Sequence, residues 1–247
     1  MECLIFLAFG APIGMLGAGW PEARQLFGQS SGALGIAAAG YGMGRLATAT
    51  SALPILRRWP IRHANGALGL ALAASCGVVA LTRSFPVLVV SFTCIGLASG
   101  CLDALGNRFQ TVVRSVGSAG LMFGSFGIGA TLGPVLVAVA GWTPAFLVAA
   151  GVAALAAGAA SRRSVQWPMA LQESEPPHGD HSKVHVPGWV VALSLSLFGL
   201  YCGMEVTTGN WGATYLEGHR GVSESGAAWA MSGFWAGMTL GRLGLGL

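Results

Sequence analysis

Stretches of about 20 residues without a single Asp, Glu, Lys or Arg recur along this chain, and length and apolarity of that kind are what a membrane-spanning helix needs. They are Cys3 to Pro21, Gln25 to Gly44, Ala64 to Thr82, Ser84 to Leu102, Ser115 to Ser161, Val186 to Met204 and Ser225 to Gly241. The fifth is long enough for two spans, and Gly141-Trp142-Thr143-Pro144 divides it with turn formers and an interfacial aromatic. The pattern predicts an all-α integral membrane protein with eight transmembrane helices. The apolar runs are continuous rather than alternating, which argues against barrel strands.

Composition agrees. Of the 247 residues, 53% are hydrophobic and 9% charged, against about 25% charged in soluble domains. A soluble enzyme, a disordered tail and a nucleic-acid binder are excluded on that ground. The net charge of +4 reads by position as a topology signal. With the N-terminus inside, Arg57, Arg58, Arg62, Arg108, Arg114, Arg162, Arg163 and Lys183 fall in cytoplasmic loops, and Arg24, Arg83 and Arg220 in outer ones. The chain is expected in a cell (inner) membrane, multi-pass, with a cytoplasmic N-terminus. The first run has Glu2 where a signal peptide carries basic residues, so it reads as the first helix, with a few residues missing in front.

One polar linker interrupts the apolar pattern. It divides the chain into residues 1–160, a six-helix transmembrane bundle; 161–186, a cytoplasmic linker; and 187–247, spans 7 and 8, the start of an incomplete second bundle. Within the linker, His178, His181 and His185 have metal-like spacing, but nothing orients them, and no metal site is expected. The five cysteines all lie inside spans and none forms a CxxC pair, so they read as small packing residues. No cofactor is implied. Gly40-x-Gly42-x-Gly44 follows no strand and makes no nucleotide loop.

The first and last span pairs resemble each other. Phe9-Gly10-x3-Gly14, Trp20 and Gly44-Arg45-Leu46 correspond to Phe198-Gly199-x3-Gly203, Trp211 and Gly241-Arg242-Leu243. Six spans separate the copies, so both run in the same direction, which is the arrangement of a parallel-repeat transporter. The residues that carry this pattern are Gly14 to Pro21, Gly96-Leu-Ala-Ser-Gly100-Cys-Leu-Asp103-Ala-Leu-Gly-Asn107, Phe126-Gly127-x-Gly129-x3-Gly133-Pro134 and Tyr201-Cys-Gly203-x-Glu205, continuing through Trp211, Trp235 and Gly241-Arg242-Leu243. In these stretches the chain resembles a major facilitator superfamily transporter, most similar to the sugar-permease-like, fucose-permease-type branch. The resemblance implies the major facilitator fold and covers essentially the whole chain, which stops inside the eighth of that family's twelve spans. It departs from the pattern in two places. The basic segment Arg57-Arg58-Trp59-Pro60-Ile61-Arg62 lacks the family's acidic residue, and Met122-Phe123-Gly124 stands where the branch often has a histidine.

The polar residues left inside the spans are the candidate site. An intramembrane carboxylate costs about 2.5–3.5 kcal/mol on insertion scales and so should face a cavity or a partner. Asp103, with Asn107 one turn on, reads either as a substrate or proton site or as a solvated helix-end charge near Arg108. Glu205 is expected roughly 25 Å along span 7, in its outer half, as a gate or substrate contact or as an interfacial acid. Gly209 and Asn210 suggest a helix end that unwinds near a ligand. Arg45 and Arg242, equivalent in the repeat, read as structural ion pairs or as anion-binding groups, with Asp103 the partner expected for Arg45. Trp20, Trp211 and Trp235 are candidates for stacking on a sugar ring, with interfacial anchoring an equal account of the first two. Gly129, Gly133 and Pro134 resemble an antiporter motif, while the same small-x3-small spacing serves close helix packing.

The function these features imply is secondary active transport of a small polar, sugar-like solute by alternating access, coupled to protons. Alternatives are a drug or metabolite efflux antiporter of the same fold, or a truncated fragment inactive without a missing four-span C-terminal segment. The expected partners are the solute, the proton and the lipid bilayer. An enzyme is not expected, because no nucleophile, base and orienting group stand together.

Overall fold

Among the residues described by the computed structural model (2–56, 59–113, 116–162 and 186–244) every long element is a helix. In order they are α1 (Glu2–Ala18), α2 (Trp20–Leu26), a 3-10 turn (Ser31–Ala33), α3 (Leu34–Leu56), α4 (Ile61–Leu81), α5 (Phe85–Val113), α6 (Val116–Ala140), α7 (Trp142–Ala160), α8 (Gly188–Arg220) and α9 (Glu224–Gly244).

The first two apolar runs do not cross as two straight rods ending at Pro21 and Gly44. Pro21 has no N–H to extend α1 and its ring crowds the preceding turn. The chain therefore bends by 71° into the short α2. Gly28, with φ +62°, follows the end of α2, and the polar Gln29-Ser30-Ser31 leads into the next helix. The second span is consequently Leu34–Leu56 rather than Gln25–Gly44, which places Arg45 at mid-helix.

Two further spans are longer than the charge-free runs that announced them. α5 continues past Leu102 to Val113, so Asp103 lies well inside a helix and is not a helix-end charge. α8 has 33 residues and runs unbroken through Gly209 and Asn210. Glu205 is thus near its middle, not its outer half, and the expected unwinding at Asn210 does not occur. The apolar and aromatic residues from Trp211 to Leu216 sustain the helix, and its left-handed cap is Gly221. Gly141, at φ +82°, separates α6 from α7.

Among the described residues eight helices thus have the length expected of spans, but apolarity divides them. Five are long and apolar enough to cross a membrane, six if the bent α1–α2 pair counts as one. α3 and α9, rich in Gly, Ala, Ser and Thr and carrying Arg45 and Arg242, fall outside that set. The basic loop residues Arg57, Arg58, Arg114, Arg163 and Lys183, and the linker histidines His178, His181 and His185, lie outside the described residues.

α1 packs on α6, α3 on α5, α4 on α7, and α6 also on α9; α1 touches α8. The first of these contacts is a glycine interleaving. A Cβ on Gly10 or Gly14 of α1 would strike the carbonyl oxygens of Phe126 or Ala130, and one on Gly129 or Gly133 of α6 would strike those of Leu7 or Ala11. Small residues on both helices let the backbones meet, as van der Waals packing in lipid requires. The helices alternate in direction, so residues 19–33, 82–84, 141 and 221–223 share one end of the bundle, called the α2 end below. There Trp20, Trp142 and Phe146 are fully buried. Glu22 accepts the Trp142 backbone N–H at 2.8 Å, satisfying a donor that the first turn of α7 leaves unpaired.

Candidate functional site

Arg45 cannot stand alone in a helix that faces apolar neighbours, and α5 supplies its partner. Its Nη2 donates to Asp103 Oδ2 at 2.9 Å, and its Nη1 donates to the Tyr41 hydroxyl at 3.1 Å. Tyr41 is one turn before Arg45, on the same face of α3. On the other side of the molecule Arg242 Nη2 donates to Glu205 Oε1 at 2.8 Å and to the Tyr201 hydroxyl at 3.2 Å. Tyr201 is one turn before Glu205 on α8. Two Tyr–Arg–carboxylate clusters result, with the tyrosine on the arginine's helix in one and on the carboxylate's helix in the other. In both, the ion pair is half-buried.

The two clusters face one cavity of about 680 Å³. Its walls come from α1, α3, α5 and α6 on one side and from α8 and α9 on the other. Asp103, Asn107, Glu205, Asn210, Trp235, Arg45 and Arg242 all line it. Sequence reasoning named these seven, but not the two tyrosines as partners of the arginines. The i, i+4 spacings Tyr41/Arg45 and Tyr201/Glu205 were the available signal. Sequence reasoning assigned no lining role to the six phenylalanines Phe6, Phe9, Phe92, Phe123, Phe126 and Phe198, four of which it named only within motifs and which make much of the wall aromatic.

Five of the other candidates lie away from the cavity lining. Trp20 is fully buried beside Phe85, at 6.3 Å between ring centroids, so it neither stacks on a solute there nor anchors at an interface. Trp211 is half-buried against the core, with its ring toward Gly35 of α3. Gly129 and Gly133 belong to the α1–α6 contact, and Pro134 Cδ stands against Gly14 there.

The cavity is sealed at the α2 end. The backbone of α1 at Gly17 meets that of α8 at Gly209 and Asn210. Beyond them Arg24 Nη2 reaches both oxygens of Glu217 at 2.9 Å, and Gln25 Nε2 reaches Glu224 Oε1 at 2.7 Å. Toward the opposite end Phe198 and Tyr201 line the cavity on an α8 that is exposed along most of its length.

Comparison with known proteins finds weak similarity to a membrane transporter. The chain is 24% identical over 246 residues to an uncharacterized MFS-type transporter of Yersinia pestis, covering 95% of this chain and 62% of that one. It is 29% identical over 214 residues to Bypass of stop codon protein 6 of Saccharomyces cerevisiae, covering 72% of this chain and 43% of that one. The chain spans about half the length of these curated relatives. No family model matches it, and no solved structure matches it. Its apolar helices make it a multi-pass membrane protein, and it is similar to an MFS-type transporter.

Proposed function

We propose that this chain belongs to a secondary active transporter that moves a small polar, sugar-like solute by alternating access, with Asp103 and Glu205 as the proton-carrying groups. The observation that carries the reading is the pair of Tyr–Arg–carboxylate clusters facing a single aromatic-lined cavity. A carboxylate held by an arginine inside an apolar bundle exchanges one partner for another when it takes up a proton, and that exchange couples the two sides of the cavity. Aromatic walls with a few convergent polar groups suit a solute with hydroxyls and an apolar ring face.

The reading includes the fucose-permease-type branch, an N-terminal six-helix bundle over 1–160 joined by the 161–186 linker to 187–247, and an inner-membrane orientation with the N-terminus cytoplasmic and the α2 end outside. The apolar part of α8 that is exposed here is where further spans of such a fold would pack.

The test is uptake of a labelled hexose panel by vesicles containing the native gene product, with an imposed inward proton gradient. Asp103→Asn and Glu205→Gln are expected to cut gradient-driven uptake at least about tenfold while leaving solute exchange without a gradient less affected. Wild-type uptake from both variants overturns the assignment.

A second reading, efflux of an amphipathic compound, is favoured by the six phenylalanines of the lining. It predicts that deletion of the gene sensitises cells to apolar amines or dyes, and unchanged sensitivity to all of them argues against it.

A further inference from the structure

We propose that the indole N–H of Trp235 is a hydrogen-bond donor subsite of the cavity, taking an acceptor oxygen of the cargo; this rests on the transport reading above. An indole N–H can only donate, and a buried donor left unpaired costs about 1–3 kcal/mol. Trp235 is 4% exposed, and its Nε1 has no partner among the described residues. Trp20 and Trp142 also bury an unpaired Nε1, but they sit in the core of the α2 end. Trp235 is the one of the three that lines the cavity.

Its orientation follows from α8. A Cβ on Gly209 would come within 2.8 Å of Trp235 Cζ2 and 3.5 Å of Cε2, the atom that bears Nε1. The Cζ2 edge of the ring, next to the carbon that bears the nitrogen, is thus held against Gly209, where a side chain would displace it. Gly209 and Asn210 line the cavity beside it. The four charged groups of the cavity are tied in pairs by their own ion contacts. The indole N–H is therefore a donor in the cavity wall whose capacity no protein group takes up, and a solute that turns the ring toward the cavity satisfies it with an oxygen acceptor. Trp235 acts here through its N–H, with the ring face serving as wall.

The experiment uses the full chain in proteoliposomes and four tritiated probes: D-glucose, D-galactose, L-fucose and D-mannitol. For the probes that wild type transports, Trp235→Phe keeps the ring and removes the donor. It should raise KM about tenfold and leave the maximal rate within about twofold, the signature of a lost binding contact. Trp235→His, which retains a ring N–H, should recover part of the loss. Trp20→Phe and Trp142→Phe should leave KM unchanged. In wild-type chain labelled with 15N at the indoles, one N–H resonance should move on adding a transported probe, a readout that needs no variant to fold. An unchanged KM in a folded Trp235→Phe protein, or indole resonances that do not move, overturns the subsite and leaves the transport reading standing. Transport of none of the four probes by wild type overturns the sugar-like reading, and the subsite with it.

Discussion

Arg242 Nη2 lies 2.8 Å from Glu205 Oε1, and this contact between α9 and α8 is matched across the cavity by Arg45 and Asp103 at 2.9 Å. In each cluster a tyrosine hydroxyl takes a further guanidinium N–H. Neither pair joins the walls that would separate if the cavity opened at the α2 end: one lies between α3 and α5, the other between α8 and α9. That opening does not itself stretch either pair, whereas it pulls Arg24 directly away from Glu217.

Removing one member of a cavity pair should therefore harm the fold more than removing both. Arg45→Gln leaves the Asp103 carboxyl without its partner, and the expected loss is about 1–3 kcal/mol, below the value for fully buried pairs because the pair is only half-buried. The double variant Arg45→Gln/Asp103→Asn should recover at least half. Thermal unfolding of the four proteins of the cycle in detergent checks this, and additive losses would count against a coupled pair.

The contact across the α2 end should govern which side the cavity faces. Cys202 lines the cavity, and with the other four cysteines replaced it reports access to impermeant thiol reagents. Labelling should come almost wholly from the end opposite α2 in the parent. Glu217→Arg should raise labelling from the α2 end about two- to fivefold, as a contact of roughly 0.5–1 kcal/mol allows, and Arg24→Glu/Glu217→Arg should restore the parent pattern.

Glycines of one sequence motif should differ sharply in tolerance. Gly133→Val drives a side chain into the Ala11 carbonyl, so a loss of several kcal/mol, seen as aggregation in size-exclusion chromatography, is expected. Gly199→Ala and Gly203→Ala, with nothing within 4 Å, should elute and melt like the parent. Equal behaviour of the two sets would refute the interleaved packing.

Glu22→Ala should destabilise the α2 end by about 1 kcal/mol, because the Trp142 N–H at the start of α7 loses its acceptor. Glu22→Gln, which keeps a carbonyl oxygen but no charge, should lose about half as much. Hydrogen exchange at the first turn of α7 reads both effects locally.

The sequence by itself determined that this is a helical membrane protein, that two arginines and two acids lie among apolar residues, and that the first and last span pairs share a template. All of these are local quantities: run length, charge and spacing along one segment. Only the tertiary structure decided where spans bend and end and which groups meet. Asp103 meets Arg45 because α5 outruns its apolar stretch and lies against α3. Glu205 meets Arg242 because α8 and α9 pack side by side. Trp20 and Trp235 differ as buried core and cavity wall although both are tryptophans in apolar runs. The physical reason is that an ion pair or a cavity is made by residues on different helices, and helix packing in lipid depends on close backbone fit between glycine-rich faces, a property of two surfaces together that neither stretch of sequence carries alone.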